Sequence, residues 1–116
     1  MGSKLIQGAK DHGWRIVAGR VDVSGGTPSV GAGTGFSVVD TAAGQVKVVF
    51  SNPGRSIVSA VANAIQTTDA TFHGVKIDAK TEATDVTFAV YVADATDGAL
   101  VDNVGFYFQC ILDDVD

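Results

Sequence analysis

A chain of 116 residues with 13 acidic and 8 basic side chains, net charge -5, has the length of one domain. Its acidic balance excludes nucleic acid as the main partner, because a phosphate backbone demands Lys and Arg. Hydrophobic residues at 46% against 18% charged exclude intrinsic disorder, and a single Cys excludes an internal disulfide framework.

The elements are expected to be strands. Val is the commonest residue, and Val favours pleated, half-buried surfaces. Residues 1–13 show little periodicity and read as an extended N-terminal arm. From Trp14 the period becomes two: Val17, Gly19, Val21 and Val23 share a face, with Ile16 breaking an otherwise more polar opposite face. Ser24-Gly25-Gly26-Thr27-Pro28 interrupts the run, and Gly31-Ala32-Gly33-Thr34-Gly35 reads as a turn entering the next strand. Residues 35–50 look like a hairpin that turns at Thr41–Gly44, with Val46, Val48 and Phe50 on one face of its return strand. Asn52-Pro53-Gly54 is a turn signal. Residues 56–66 fit both a helical stripe (Ile57, Val58, Val61, Ala62, Ile65) and a strand; short strands on either side favour the strand.

Further strands follow over 71–79, around Val86, Phe88, Val90 and Val92, and around Val104, Phe106, Phe108, Cys110 and Leu112, with an acidic loop from Asp94 to Asp102. Seven or eight short strands with turn signals every 8–12 residues predict an all-β antiparallel sandwich, jelly-roll-like, with Phe and Val in its core. The expected organisation is an arm over 1–13 and a sandwich domain over 14–116 ending in the acidic tail Asp113, Asp114 and Asp116.

Chemistry-bearing patterns are weak. The run at 31–35 gives G-x-G-x-G, but Phe36 stands where a dinucleotide fingerprint needs its third Gly, and a strand rather than a helix follows. His12, His73 and Cys110 are far apart and lack zinc spacing. Asp94, Asp97 and Asp102 could gather oxygen donors for calcium, without the alternation of an EF-hand loop. There is no nucleophile elbow, and Asp113 with Asp114 reads as an exposed pair rather than a recessed acid and base. The expectation is therefore a non-enzyme without metal or cofactor. Cys110 reads as a packing residue.

Surface and assembly say more. So apolar a chain of this size has too little interior to hide its side chains, which predicts a homo-oligomer. Tyr91 and Tyr107 fall on the opposite strand faces from the Phe rows, so their rings are expected outside, as an oligomer or ligand surface; stacking on sugars is an alternative use. Trp14 would pin the arm or plug the end of the sandwich. Residues 1–80 hold all eight basic groups, whereas residues 81–116 hold eight acids and no base. That asymmetry suits head-to-tail contacts or docking on a charged lattice; a solvated acidic surface explains it equally well. No charge-free stretch reaches the roughly 20 residues of a membrane span, the start lacks a secretory apolar core, and Ile6 stands where myristoylation needs Ser or Thr. A protein made in a cytoplasm, with neither membrane nor nucleic acid as partner, is expected.

Three stretches carry a resemblance: Gly13-Trp14-Arg15-Ile16-Val17-Ala18-Gly19-Arg20-Val21, Gly33-Thr34-Gly35-Phe36-Ser37-Val38-Val39 and Gln45-Val46-Lys47-Val48-Val49-Phe50. Together they make residues 13–112 similar to small β-sandwich virion proteins of tailed bacteriophages, the capsid decoration (cement) proteins and the tips of head or tail fibres. The ending Val104-Gly105-Phe106-Tyr107 resembles the last strand of trimeric jelly rolls of the C1q and tumour-necrosis-factor type. The resemblance implies a homotrimer on the capsid surface of a virion, bound to the major capsid protein of the same phage. In that setting Lys4, Leu5, Ile6, Lys10 and Trp14 would form the docking arm. A glycan- or receptor-binding fibre tip is the alternative it leaves open.

Overall fold

The computed structural model describes residues 13–42, 44–65, 73–81, 84–92 and 104–113. Eight antiparallel strands form two four-stranded sheets. In chain order they are β1 (Trp14–Ser24), β2 (Thr27–Gly33), β3 (Phe36–Ala42), β4 (Gln45–Phe50), β5 (Ser56–Ala64), β6 (His73–Thr81), β7 (Asp85–Val92) and β8 (Phe106–Asp113). The first sheet has the order β2-β1-β8-β5 and the second β3-β4-β7-β6. The chain changes sheet four times, and its first strand lies beside its last: Trp14 is opposite Asp113 and Val21 opposite Phe106. This is the expected all-β antiparallel sandwich.

Alternation explains which side chains meet. Val17 and Val21 of β1, Val46, Val48 and Phe50 of β4, Val86, Phe88 and Val90 of β7, and the β8 row Phe106, Phe108, Cys110 and Leu112 are all buried between the sheets. Four aromatic rings organise this core. Phe36 meets Phe108 edge-on with centroids 4.7 Å apart, Phe88 lies 5.3 Å from Phe106, and Phe88 lies 5.9 Å from Phe108. Edge-to-face and tilted contacts at these distances suit the ring quadrupole and tie β3, β7 and β8 together across the sandwich.

Segment 56–64, ambiguous in sequence, is a strand because it pairs with β8, from Ile57 opposite Leu112 to Ala64 opposite Phe106, with a bulge at Val58. One expectation needs correcting. The glycine run does not form a turn: Gly31, Ala32 and Gly33 belong to β2, which pairs with β1 from Ser24–Thr27 to Gly19–Gly33, and the turn is confined to Thr34 and Gly35. An edge strand needs only its backbone to pair, so it need not carry a hydrophobic pattern. The arm residues Lys4, Leu5, Ile6 and Lys10, together with His12, the loop acids Asp94, Asp97 and Asp102, and tail residues Asp114 and Asp116, lie outside the described residues.

Candidate interaction surface

Because paired residues share a face, the strand registers build the outer surface of the first sheet row by row. Trp14, Asp113 and Ser56 form one row; Ile16, Ile111 and Ser59 the next; then Ala18, Gln109 and Val61; then Arg20, Tyr107 and Asn63. The two middle rows contain no charge. Trp14 is 38% exposed, Val61 56% and Tyr107 54%. Three strands about 4.8 Å apart, over seven residues rising about 3.3 Å each, give a face of roughly 300 Å².

An ion pair closes each end of the face. At one end the Arg20 guanidinium donates to Asp22 Oδ1 at 2.9 Å and to the Gly31 carbonyl at 3.0 Å. The hydrogen bond and charge of Asp22, followed by the neighbouring Tyr107 hydroxyl, hold the Arg20 pKa above its ordinary value, so the group stays charged. At the other end Arg55 donates to Asp113 Oδ2 at 3.0 Å, and the Arg55 backbone N–H donates to the Asp113 carbonyl at 2.7 Å. The result is a half-apolar surface whose bordering charges are internally matched.

The outer face of the second sheet differs. There the register puts Lys47 beside Thr87, Lys76 beside Ala89, and Asp85 beside Val49. Tyr91 lies on this face, half-buried; a Cβ added to Gly74 would come within 2.6 Å of its ring. The two tyrosines expected to share a surface both point outward, but on different sheets: Tyr107 on the first and Tyr91 on the second. Trp14 sits on the outer face at the start of β1, opposite Asp113, rather than inside the end of the sandwich. Ile16, Ala18, Val61, Asn63 and Ile111 were not singled out by sequence reasoning, although the break in alternation at Ile16 was the available signal.

Burial pushes the Cys110 thiol up to about 12, which keeps it protonated and unreactive at neutral pH, as a packing residue should be. Among the described residues, no group of three or more His, Cys, Asp or Glu gathers as metal ligands, and none lies in a helix whose N-terminus could follow the glycine run. Compared with family models, curated proteins and solved structures, the chain matches none.

Proposed function

We propose that this chain is a non-enzymatic structural protein that assembles with its own copies, as a homotrimer, and decorates the outer shell of a bacteriophage capsid. The observation that carries this reading is the outer face of the first sheet: uncharged in its middle, rich in Ile, Val, Trp and Tyr, and bordered by the pairs Arg20–Asp22 and Arg55–Asp113. Such a face can be buried against a neighbouring copy without stranding a charge, which suits self-association. The likeness of residues 13–112 to phage decoration proteins supplies the setting. Residues 1–13, with Lys4, Leu5, Ile6 and Lys10, would dock on the major capsid protein. A decoration protein that binds the assembled shell more tightly than free subunits shifts the equilibrium toward the intact shell, and several copies joined together add avidity.

Light scattering on a sizing column tests the oligomer: Ile16→Lys puts a charge in the middle of the face and should lower the mass toward that of one chain. An unchanged mass removes the face from the assembly. Deleting residues 2–13 should abolish co-sedimentation with capsid shells while leaving the oligomer intact; retained binding rejects the arm as the docking element.

A second reading, a glycan-binding fibre tip, has one observation in its favour. The open Tyr107 ring lies between Arg20 and Asn63, an aromatic platform flanked by hydrogen-bonding groups. It predicts a glycan-array signal that falls with Tyr107→Ala, and an empty array rejects it.

A further inference from the structure

Among the described residues, each sheet ends in two strands paired on one side only: β2 and β5 in the first, β3 and β6 in the second. Open edges invite pairing with another chain, and proteins commonly protect them with proline, charge or bulges. Three of the four edges are protected in this way. β2 carries Pro28 and two glycines, β3 carries Asp40 beside a register shift, and β6 carries exposed Lys76, Asp78 and Lys80 with a shift at Asp78. β5 has only its bulge at Val58. Its nine residues, Ser56–Ala64, contain no charge, no proline and no glycine, and past the bulge at Val58 it runs without interruption from Ser59 to Ala64.

Beside this edge lies an open cleft of about 370 Å³ between β5 and β6, lined by Ala60, Val61, Ala62 and Asn63 on one side, Val75, Lys76 and Ile77 on the other, and by Phe88. Among the described residues, an edge free of charge, proline and glycine that opens on a cleft suits an extended strand as its occupant, because every second residue turns its N–H and C=O away from β8.

The sequence of β5 indicates which strand. Ser59-Ala60-Val61-Ala62-Asn63 is close to symmetric about Val61. Two copies paired antiparallel about that centre place Val61 against Val61, Ala60 against Ala62, and the Ser59 hydroxyl against the Asn63 amide. Like side chains meet, no charge opposes another, and the small alanines leave room on the cleft side. The same operation on β6 would bring its lysines into proximity.

We propose that β5 is a homotypic pairing edge, through which two copies join antiparallel about Val61 into one continuous eight-stranded sheet. The inference goes beyond the decoration reading and does not depend on it; on a shell it would connect neighbouring oligomers. Pairing along one edge of six residues, Ser59–Ala64, is small beside a stable interface, so the association is reversible and depends on concentration.

Sedimentation velocity of the full chain over about a hundredfold range of concentration tests this. Val61→Lys and Val61→Glu each place like charges opposite one another and should raise the dissociation midpoint at least about tenfold. Mixed in equal amounts, the two variants should pair as a heterodimer, because Lys then faces Glu. Val61→Thr, which keeps the β-branched shape, should associate like the wild type. Val39→Lys, also exposed but on β3, should have no effect on this step. Circular dichroism checks that each variant retains the sheets.

Failure of the two charged variants to pair when mixed overturns the two-fold register. So does association of either one alone at the wild-type midpoint. Val61 also borders the outer face of the first sheet, and the mixing result separates the two surfaces, since only direct opposition of residue 61 with itself gives rescue. If Ile16→Lys leaves assembly unchanged while the charged pair still rescues, the face reading fails and the edge stands. A wild-type chain that stays monomeric, and whose β5 amides gain exchange protection only with an added valine-rich peptide, overturns the second copy as occupant in favour of a foreign strand.

Discussion

Gly19 sits on the inner face of β1 in direct apposition to the Phe36 ring. A Cβ built there would lie 2.5 Å from Phe36 Cε1, 2.6 Å from Phe36 Cζ and 2.6 Å from the Ala32 carbonyl oxygen. Ordinary carbon contacts are about 3.5–4.0 Å, so Gly19→Ala cannot be absorbed without movement. Two effects oppose. Replacing a glycine in a strand gains about 0.5–1 kcal/mol by restricting the unfolded chain. Overpacking a close-packed interior costs about 1–3 kcal/mol, and a displaced Phe36 also gives up its edge contact with Phe108, about 0.5–1.5 kcal/mol. The loss wins, by about 2 kcal/mol, out of a total stability of roughly 6–17 kcal/mol for a chain of this length.

Urea unfolding followed by circular dichroism measures the loss, at one fixed protein concentration, because self-association would add its own stabilisation. Adding Phe36→Leu separates the two obstacles: it retracts the ring but leaves the Ala32 carbonyl in place. The double variant should therefore be less destabilised than the sum of the singles, by about 1 kcal/mol, and still not reach the level of Phe36→Leu alone. A Gly19→Ala protein as stable as the wild type, or strictly additive singles, would refute this account of how β1 packs on β3.

Other consequences follow from local chemistry. Gly35 has φ +87° and open space around it, so Gly35→Ala should cost about 1–2 kcal/mol through backbone strain alone, read from the urea midpoint. With its thiol pKa raised to about 12 by burial, Cys110 should not react with a thiol reagent until the protein unfolds. The sign of the linkage follows from that rise: the unfolded thiol ionises from about pH 8.5 while the folded one keeps its proton. Stability is then fully present below that pH and declines by about 1.4 kcal/mol per pH unit up to about pH 12. Cys110→Ala should remove this part of the alkaline decline, measured as urea stability against pH for the wild type and the variant.

The sandwich was legible because its central strands alternate cleanly. Val46-Val48-Phe50 and Phe106-Phe108-Cys110-Leu112 announce both the strand and the buried face, and the structure buries every one of them. β2 was not legible: Pro28, Gly31 and Gly33 resemble turn residues, and only long-range pairing with β1 makes them a strand. The ambiguity of β5 had the same origin, since an alanine-rich segment with no charge satisfies either period until β8 is beside it. Sequence placed the tyrosines outward correctly but not on which sheet, because that depends on pairings between strands distant along the chain. The apolar face was visible only as a flaw in the pattern, Ile16 on a side expected to be polar; its partner Ile111 lies almost a hundred residues later.

The adjacency of β1 and β8 has a practical consequence for engineering. Trp14 and Asp113 are cross-strand neighbours, about 5 Å apart between Cα atoms by the geometry of antiparallel pairs. A linker of a few residues could splice these ends, and a circular permutant opened between Gly25 and Gly26 would retain all eight strands in their places. Cargo fused beside Trp14 or beside Asp113 would be displayed on the same pole of the sandwich.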